Sequence, residues 1–325
     1  MHAGSIDLTT LSGGFDAYLT LESGQSYRWW RSDGEMYAGQ RTASAWYETV
    51  LDGEVIRIRQ RACEDSSGEA RSRAGPGDAA FGSVLEWEST ADSTTAERAI
   101  RTLLRLDDDL DAICEQAPED PLIEAAYDRY RGLRLVDDPP FDTLIAFICS
   151  AQMRVGRIHT MVQALARAYG TTHAVDGREL YEFPSPEALA QATETDLRAL
   201  GLGYRAPYVA ETARMIADGE DDPAAARELP YEDAREYLTR FVGVGEKVAD
   251  CVCLFSLGFD EAVPLDTWIR TAIADYYPEC DHGSYAATSR AIRERLGGQY
   301  AGYTQTYLFH ALRTERKELE AAVEP

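Results

Sequence analysis

The most informative segment of the chain is Leu238-Thr-Arg-Phe-Val-Gly-Val-Gly-Glu-Lys-Val-Ala-Asp250. Two glycines one residue apart, Gly243 and Gly245, lie between two segments of helical periodicity. Because glycine permits positive φ and close backbone approach, the stretch predicts a helix-hairpin-helix over residues 231–257. The second helix would begin with unpaired N–H groups and the positive end of a dipole, which together bind phosphate. Purely structural helix pairs also use such hairpins, so this pattern alone leaves the role of the stretch open.

The chain retains very few lysines. Of its 32 basic residues, all but Lys247 and Lys317 are arginine. Lys247 lies at the start of the second predicted helix, two residues after Gly245. A lysine can act as an amine nucleophile, whereas the guanidinium of arginine does not deprotonate. Lys247 is therefore a candidate nucleophile, and a solvated lysine at a helix start is the alternative.

A second candidate, Asp266, follows Ala262-Val-Pro-Leu and precedes a helical segment that begins at Thr267. Aspartate is a strong N-cap, so a structural role alone would account for it. The two roles are compatible because a helix N-terminus stabilises an ionised carboxylate, which can then face a developing cation. Lys247 and Asp266 are the candidate catalytic pair.

The chain changes from strand-like to helical patterning near Thr95. Predicted strands cover Phe15–Leu21, Tyr27–Arg31, Glu35–Ala38, Trp46–Leu51 and Glu54–Gln60. Asp52-Gly53, between the last two, is a strong hairpin signal because both turn positions need positive φ. We expect a mobile loop over Glu64–Asp78 and a final helical run over Ser284–Glu320. The predicted class is α+β, with a small antiparallel β-sheet domain (1–110) followed by a mostly α-helical domain (111–325).

Composition bears on habitat more than on function. The chain has 325 residues, 56 acidic and 32 basic, and a formal charge of −24. Excess carboxylate with almost no lysine is typical of proteins from a salt-saturated cytoplasm, where salt screens self-repulsion. We therefore expect a halophilic archaeon as the source. The hydrophobic fraction of 45% excludes a wholly disordered acidic chain.

Several classes of protein and site are disfavoured by pattern. No apolar run approaches the roughly 18 residues of a membrane span, and the first ten residues lack the features of a signal peptide. The six cysteines form no CxxC pair and the five histidines no HxxxH pair, so we expect no metal and no cofactor. We expect a cytoplasmic monomer.

Five blocks in order carry a family resemblance. Besides Gly243–Asp266 they are Gly24-Gln-Ser-Tyr-Arg-Trp29, Ala146-Phe-Ile-Cys-Ser150, Gly201-Leu-Gly-Tyr-Arg-Ala-Pro-Tyr-Val209 and Tyr300-Ala-Gly-Tyr-Thr-Gln-Thr-Tyr-Leu-Phe309. The set resembles the helix-hairpin-helix DNA glycosylases and, more narrowly, the 8-oxoguanine DNA glycosylase family. The blocks extend over nearly the whole chain, and Glu64–Asp78 matches poorly. The resemblance implies a bifunctional glycosylase and abasic-site lyase of base excision repair, whose partner is double-stranded DNA containing an oxidised purine. Such a protein would be associated with the nucleoid.

The resemblance also implies a role for each matching residue. Lys247 corresponds to the Schiff-base lysine that attacks C1′, and Asp266 to the carboxylate that stabilises oxocarbenium character. Five residues correspond to the base pocket. The carbonyl of Gly24 would accept a hydrogen bond from N7–H, and Gln305 would bind the Watson–Crick edge. Cys251 and Phe309 would lie on the two faces of the ring, and Pro264 would line the pocket. Residues that correspond to the DNA-binding set are Gly243 and Gly245 of the hairpin, Tyr204 as the wedge, and Arg157 and Arg205, which contact the orphaned cytosine.

The chain departs from the family at three places. Ala151-Gln152-Met153-Arg154 replaces an asparagine run, and Gln152 is the residue that we expect to reach the orphaned base instead. Trp268 stands where a phosphate-binding histidine is common, and Val242 replaces a proline of the hairpin.

The sequence leaves three alternative functions. An alkylpurine glycosylase on the same fold uses the aspartate without the lysine, so Lys247 disfavours it. The endonuclease III branch is disfavoured because its cluster cysteines are missing. The remaining alternative is a non-catalytic helix-hairpin-helix module that only binds DNA.

Overall fold

The amino-terminal region forms one antiparallel sheet in the computed structural model, which describes residues 1–39, 45–62 and 83–323. Its strands are β1 (His2–Asp7), β2 (Trp30–Arg31), β3 (Tyr47–Leu51), β4 (Glu54–Ala62) and β5 (Ser83–Ser89). They lie in the order β1-β5-β4-β3-β2. Two helices, α1 (Ala17–Glu22) and α2 (Ser93–Leu103), share a hydrophobic core with the sheet. The expected loop at Glu64–Asp78 and Cys63 lie outside the described residues.

The hairpin between β3 and β4 is the one that the sequence predicts. Asp52 and Gly53 have φ of 51° and 80°, so both turn positions are left-handed. This geometry matches the twist of the flanking strands, and the register pairs Leu51 with Glu54.

Two strand predictions are wrong. Phe15–Leu21 is largely helical, because Asp16 caps α1 by accepting a hydrogen bond from the backbone N–H of Leu19 at 2.9 Å. Glu35–Ala38 forms turns, in which Tyr37 has a φ of 64° and its N–H donates to the buried carboxylate of Glu22 at 2.7 Å. Strand β2 pairs with β3.

The rest of the described chain is mainly helical. After α2 the helices are α3 (Leu110–Glu115), α4 (Pro121–Arg129), α5 (Pro140–Cys149), α6 (Val155–Tyr169), α7 (Pro186–Ala190), α8 (Glu194–Ala199), α9 (Ala206–Ala217), α10 (Tyr231–Leu238), α11 (Glu246–Ser256), α12 (Thr267–Tyr276), α13 (Tyr285–Arg295) and α14 (Ala301–Val323). A two-stranded hairpin, β6 (Thr172–Val175) and β7 (Arg178–Tyr181), follows α6. The final helical run is broken at Gly297 and Gly298, whose φ values are 101° and 62°.

One large core binds the helices together and positions the helix-hairpin-helix. Helix α11 packs against α5, where the rings of Phe147 and Phe255 stack with centroids 5.6 Å apart. Helix α14 packs against α4 and α12, so its buried face lies near the segment that precedes α12. A five-stranded antiparallel sheet domain followed by a helical domain confirms the predicted fold class. None of the helices in the described ranges is long and apolar enough to cross a lipid bilayer.

Candidate active site

The hairpin between α10 and α11 depends on Gly243. Its φ of 85° lies in the left-handed region, and a Cβ there would lie 2.6 Å from Cβ of Tyr208. Both conformation and space therefore require glycine. Gly245 is the N-cap of α11 and offers no side-chain acceptor. The first N–H groups of α11 thus have no side-chain cap from this residue, as a phosphate site needs.

Lys247 lies in the first turn of α11 with its side chain partly buried. Its Nζ lies 3.2 Å from Oγ of Ser150 and 5.1 Å from the ring centroid of Phe147. Both neighbours belong to α5 or its C-cap, so the packing of α11 on α5 fixes where the amine points. The lysine is therefore positioned by the core and is not a freely solvated surface residue.

Asp266 caps α12, as the sequence predicts. Its Oδ1 accepts a hydrogen bond from the backbone N–H of Ile269 at 2.8 Å. Burial raises the pKa of this carboxyl, while the hydrogen bond from Ile269 and the positive charge of Lys247 act in the opposite direction. The carboxylate is thus held near the lysine in a partly desolvated position.

A buried hydrogen-bond network connects helix α11, which carries Lys247, to the segment that precedes Asp266. Asp250 of α11 is fully buried and accepts hydrogen bonds from the hydroxyls of Tyr231 and Tyr285 at 2.8 and 2.7 Å. The hydroxyl of Tyr285 also accepts from the backbone N–H of Leu265 at 3.0 Å. Burial raises the pKa of Asp250 to about 7, against the charge of Arg235 and the two tyrosine donors. The network holds the residue before Asp266 against the helix that carries Lys247.

A cavity of about 900 Å³ brings most of the candidate residues together. Its walls include both candidate catalytic residues, Lys247 and Asp266. They also include the candidates Gly24, Cys251, Pro264, Gln305, Phe309, Gln152, Gly243, Gly245 and Trp268. Four parts of the chain that are distant in sequence thus meet at one concave site of the size that small ligands occupy.

The pocket candidates differ in burial. Gln305 and Cys251 are buried, and Phe309 is partly buried on the same face of α14 as Gln305. Burial raises the pKa of the Cys251 thiol to about 12, although the charge of Lys247 opposes this. The thiol is therefore neutral at physiological pH. Gly24 has a φ of 100°, and a Cβ there would lie 2.8 Å from Val155, so this position also requires glycine.

Three DNA-binding candidates lie away from the cavity walls. Tyr204 is 49% exposed, which agrees with a loop tip. Because Arg205 follows Gly203 and Tyr204, the sequence predicts that it shares this exposed tip, but Arg205 is only 3% exposed and that prediction is wrong. Its guanidinium stacks on the Tyr204 ring at 4.3 Å and donates a hydrogen bond to the carbonyl of Ala151. Arg157 is exposed and lies next to Gly201.

Sequence reasoning missed Arg313. This residue lines the cavity, its Cζ lies 5.4 Å from the Phe309 centroid, and its Nη2 donates to the carbonyl of Glu22 at 3.0 Å. The available signal was its spacing, because Gln305, Phe309 and Arg313 follow one helix face at intervals of four residues. Within the described residues, no group of three or more histidine, cysteine, aspartate or glutamate side chains could hold a metal ion.

Two family models match successive parts of the chain. Residues 8–144 match the model of the 8-oxoguanine DNA glycosylase N-terminal domain. Residues 145–297 match that of the HhH-GPD superfamily base excision DNA repair proteins. The chain is 36% identical over 217 residues to a probable N-glycosylase/DNA lyase of Methanothermobacter thermautotrophicus, covering 60% of this chain and 69% of the relative.

Two longer matches extend over almost the whole chain. An N-glycosylase/DNA lyase of Arabidopsis thaliana is 27% identical over 312 residues, covering 93% of this chain and 78% of the relative. The crystal structure of Clostridium acetobutylicum 8-oxoguanine glycosylase/lyase, in complex with DNA containing cytosine opposite 8-oxoguanine, superposes with a TM-score of 0.76 at 25% identity, covering 93% of each chain.

Proposed function

The chain belongs to the 8-oxoguanine DNA glycosylase family, within the HhH-GPD superfamily, and we propose that it excises 8-oxoguanine from duplex DNA through a Schiff base on Lys247. The chain is an N-glycosylase/DNA lyase, like its curated relatives. One observation carries the proposed mechanism: Lys247 and Asp266 line the same cavity as the five candidate base-binding residues.

The chemistry follows from the two side chains. The unprotonated amine of Lys247 attacks C1′ of the extruded nucleotide, the glycosidic bond breaks, and the base leaves with its electron pair and takes up a proton. Asp266 would face the positive charge that develops on the sugar, because its carboxylate and the amine line the same cavity. The amine then loses a proton, and the bond between C1′ and the ring oxygen O4′ breaks as the C1′=N bond of the Schiff base forms and O4′ takes up a proton. Removal of a proton from C2′ and departure of the 3′ phosphate, which is β-elimination, cleave the strand on the 3′ side of the lesion.

The pocket would contact the faces and the edges of the extruded purine. Cys251 and Phe309 lie on different helices and line one cavity, and a planar base would lie between them. The buried amide of Gln305 offers both a donor and an acceptor to the Watson–Crick edge. The carbonyl of Gly24 would accept from N7–H, a donor that guanine lacks. Pro264 supplies an apolar wall.

The surface around the cavity would hold the duplex. The exposed ring of Tyr204 would fill the space that the extruded base vacates, which offsets part of the cost of unstacking. The hairpin at Gly243 and Gly245 would bind phosphate through the N-terminus of α11. Arg157, Arg205 and Gln152 would make the charged or polar contacts to the opposite strand. Trp268 would contact the sugar–phosphate backbone of the DNA.

Base release under single-turnover conditions tests this function. A duplex that carries 8-oxoguanine opposite cytosine should lose the free base and then be cleaved at the abasic site. An undamaged duplex and a duplex with a cationic alkylpurine serve as controls. Release of only the alkylpurine would favour the alternative alkylpurine glycosylase and overturn the proposal.

A further inference from the structure

The strongest unassigned feature of the cavity is the charge of Arg313. Its Nη1 is buried without a hydrogen-bond partner among the described residues, while Nη2 is fixed by the carbonyl of Glu22. Burial lowers the pKa of Arg313, but a guanidinium does not lose its charge in proteins. A buried hydrogen-bond donor without a partner on a permanent cation destabilises the folded protein, so its presence needs a functional explanation.

The position of this charge is defined by two neighbours. A Cβ on Gly24 would lie 3.3 Å from Nη1 of Arg313 and 3.7 Å from the ring of Phe309. Arg313 and the Gly24 backbone therefore lie together at one edge of the Phe309 ring. If the Gly24 carbonyl accepts from N7–H, the guanidinium lies beside the N7 edge of the bound base.

We propose that Arg313 determines which purines the pocket accepts, by admitting neutral oxidised purines and repelling purines with a positive charge at N7. This inference rests on the proposed function, because it takes the orientation of the base from Gly24. 8-Oxoguanine is neutral and flanks its N7–H with the carbonyl oxygens O6 and O8, which suit a nearby donor. An N7-alkylated guanine carries its positive charge at the same edge, where two like charges in a partly desolvated site repel.

The chain itself offers a matched set of variants. Arg313→Met removes the charge, Arg313→Gln removes it but keeps a polar group, and Arg313→Lys keeps it. Arg316→Met makes the same chemical change three residues later on α14, at a residue that pairs with Asp275 at the surface. Circular dichroism and melting temperature establish that each variant is folded.

Binding is measured with 2′-fluoro nucleotides, which resist cleavage of the glycosidic bond. One duplex carries 8-oxoguanine, one carries 7-methylguanine, and one carries 7-methyl-7-deazaguanine, a neutral molecule with the shape of the cation. The wild type should bind the neutral isostere at least about tenfold more tightly than 7-methylguanine. Arg313→Met and Arg313→Gln should reduce this ratio to near one, whereas Arg313→Lys and Arg316→Met should preserve it.

Equal binding of the two 7-methyl duplexes by the wild type would overturn the proposal, and that measurement needs no variant. An unchanged ratio in folded Arg313→Met or Arg313→Gln would also overturn it. These outcomes are distinct from a failure of the proposed function, which would show as no release of 8-oxoguanine by the wild type from the natural nucleotide.

Discussion

The amine of Lys247 lies 3.2 Å from the hydroxyl oxygen of Ser150. That hydroxyl donates its own hydrogen to the carbonyl of Phe147 at 2.7 Å, so its lone pairs face the amine. The contact joins the first turn of α11 to the end of α5. Because both helices are anchored in the same core, the lysine is oriented by the fold before any substrate binds, which favours reaction from a fixed geometry.

Reduction with borohydride during turnover should trap a covalent adduct between the protein and a lesion duplex. Lys247→Gln should abolish the adduct, because the Schiff base needs the amine, and it should leave the fold intact. Lys317→Gln is the matched control, since Lys317 is the second lysine of the chain and is exposed. Gel analysis of the trapped adduct is the measurement. An adduct that survives in Lys247→Gln would remove this residue as the nucleophile.

Asp266→Asn separates the capping role of this residue from its catalytic role. Asparagine caps a helix about as well as aspartate, so the free energy of unfolding should change by less than about 1 kcal/mol. Burial raises the pKa of Asp266, so the stability that its protonated form contributes is lost as pH rises through the folded pKa. Asparagine avoids that loss at neutral pH.

The rate of base release should behave differently from stability. Asp266→Asn should lower the single-turnover rate by roughly two orders of magnitude, because the negative charge that faces the developing cation is gone. A sharp fall in melting temperature with a preserved rate would mean that Asp266 is only a cap.

The acid limb of the pH profile should report Asp266. Its carboxyl must be ionised to act, and burial raises its pKa, so the rate should begin to fall at a higher pH than for an exposed aspartate. Single-turnover rates from acidic to neutral pH provide the measurement. If the pH profile of Asp266→Asn shows the same acid limb as the wild type, the titrating group is not Asp266.

Local signals in the sequence are sufficient to predict most helices of the helical domain. An apolar stripe followed by Gly170 predicts a helix over Val155–Tyr169, and α6 begins and ends at those residues. The hairpin at Asp52-Gly53 is likewise predicted by local sequence. Asp176-Gly177 carries the same signal between β6 and β7, with φ of 51° and 74°, although these strands are too short to show alternation.

The unpredicted parts depend on contacts between distant residues. Strand β1 shows little alternation because only Ile6 is buried, and Gly4 leaves room for Trp87 of β5, whose ring lies 2.4 Å from where a Cβ would be. The same limit applies to the site. The burial of Arg205 follows from its contact with the Ala151 carbonyl, and no local pattern contains that contact.

Activity should reach its optimum at high potassium or sodium chloride. With a formal charge of −24, the folded chain repels both itself and DNA at low ionic strength, and salt shortens the range of that repulsion. The usual weakening of phosphate contacts by salt acts in the opposite direction. Rates and melting temperatures from about 0.1 to 3 M salt test which effect is larger. An optimum near about 0.1 M would contradict the habitat inferred from composition.

The base opposite the lesion should affect the rate of excision. Orphaned cytosine offers the acceptors O2 and N3 to the planar donors of Arg157 and Arg205. Adenine offers N1 but places a donor at N6, which would leave a buried donor unpaired. One lost charge-assisted hydrogen bond is worth roughly 1.5–3 kcal/mol, or about ten- to a hundredfold in rate. We expect about tenfold in favour of cytosine, because Gln152-Met153 replaces the asparagines of the family.

The test compares kcat/KM on two duplexes that differ only in that base. Arg205→Ala should reduce the preference towards one, as should Arg157→Ala at its exposed position. Arg205→Ala also removes the donor to the Ala151 carbonyl and should lower the melting temperature. That loss does not affect the ratio, because each variant is assayed on both duplexes and its folded fraction cancels. Equal rates in the wild type, or a preference for adenine, would defeat the assignment of both arginines and leave the lysine chemistry standing.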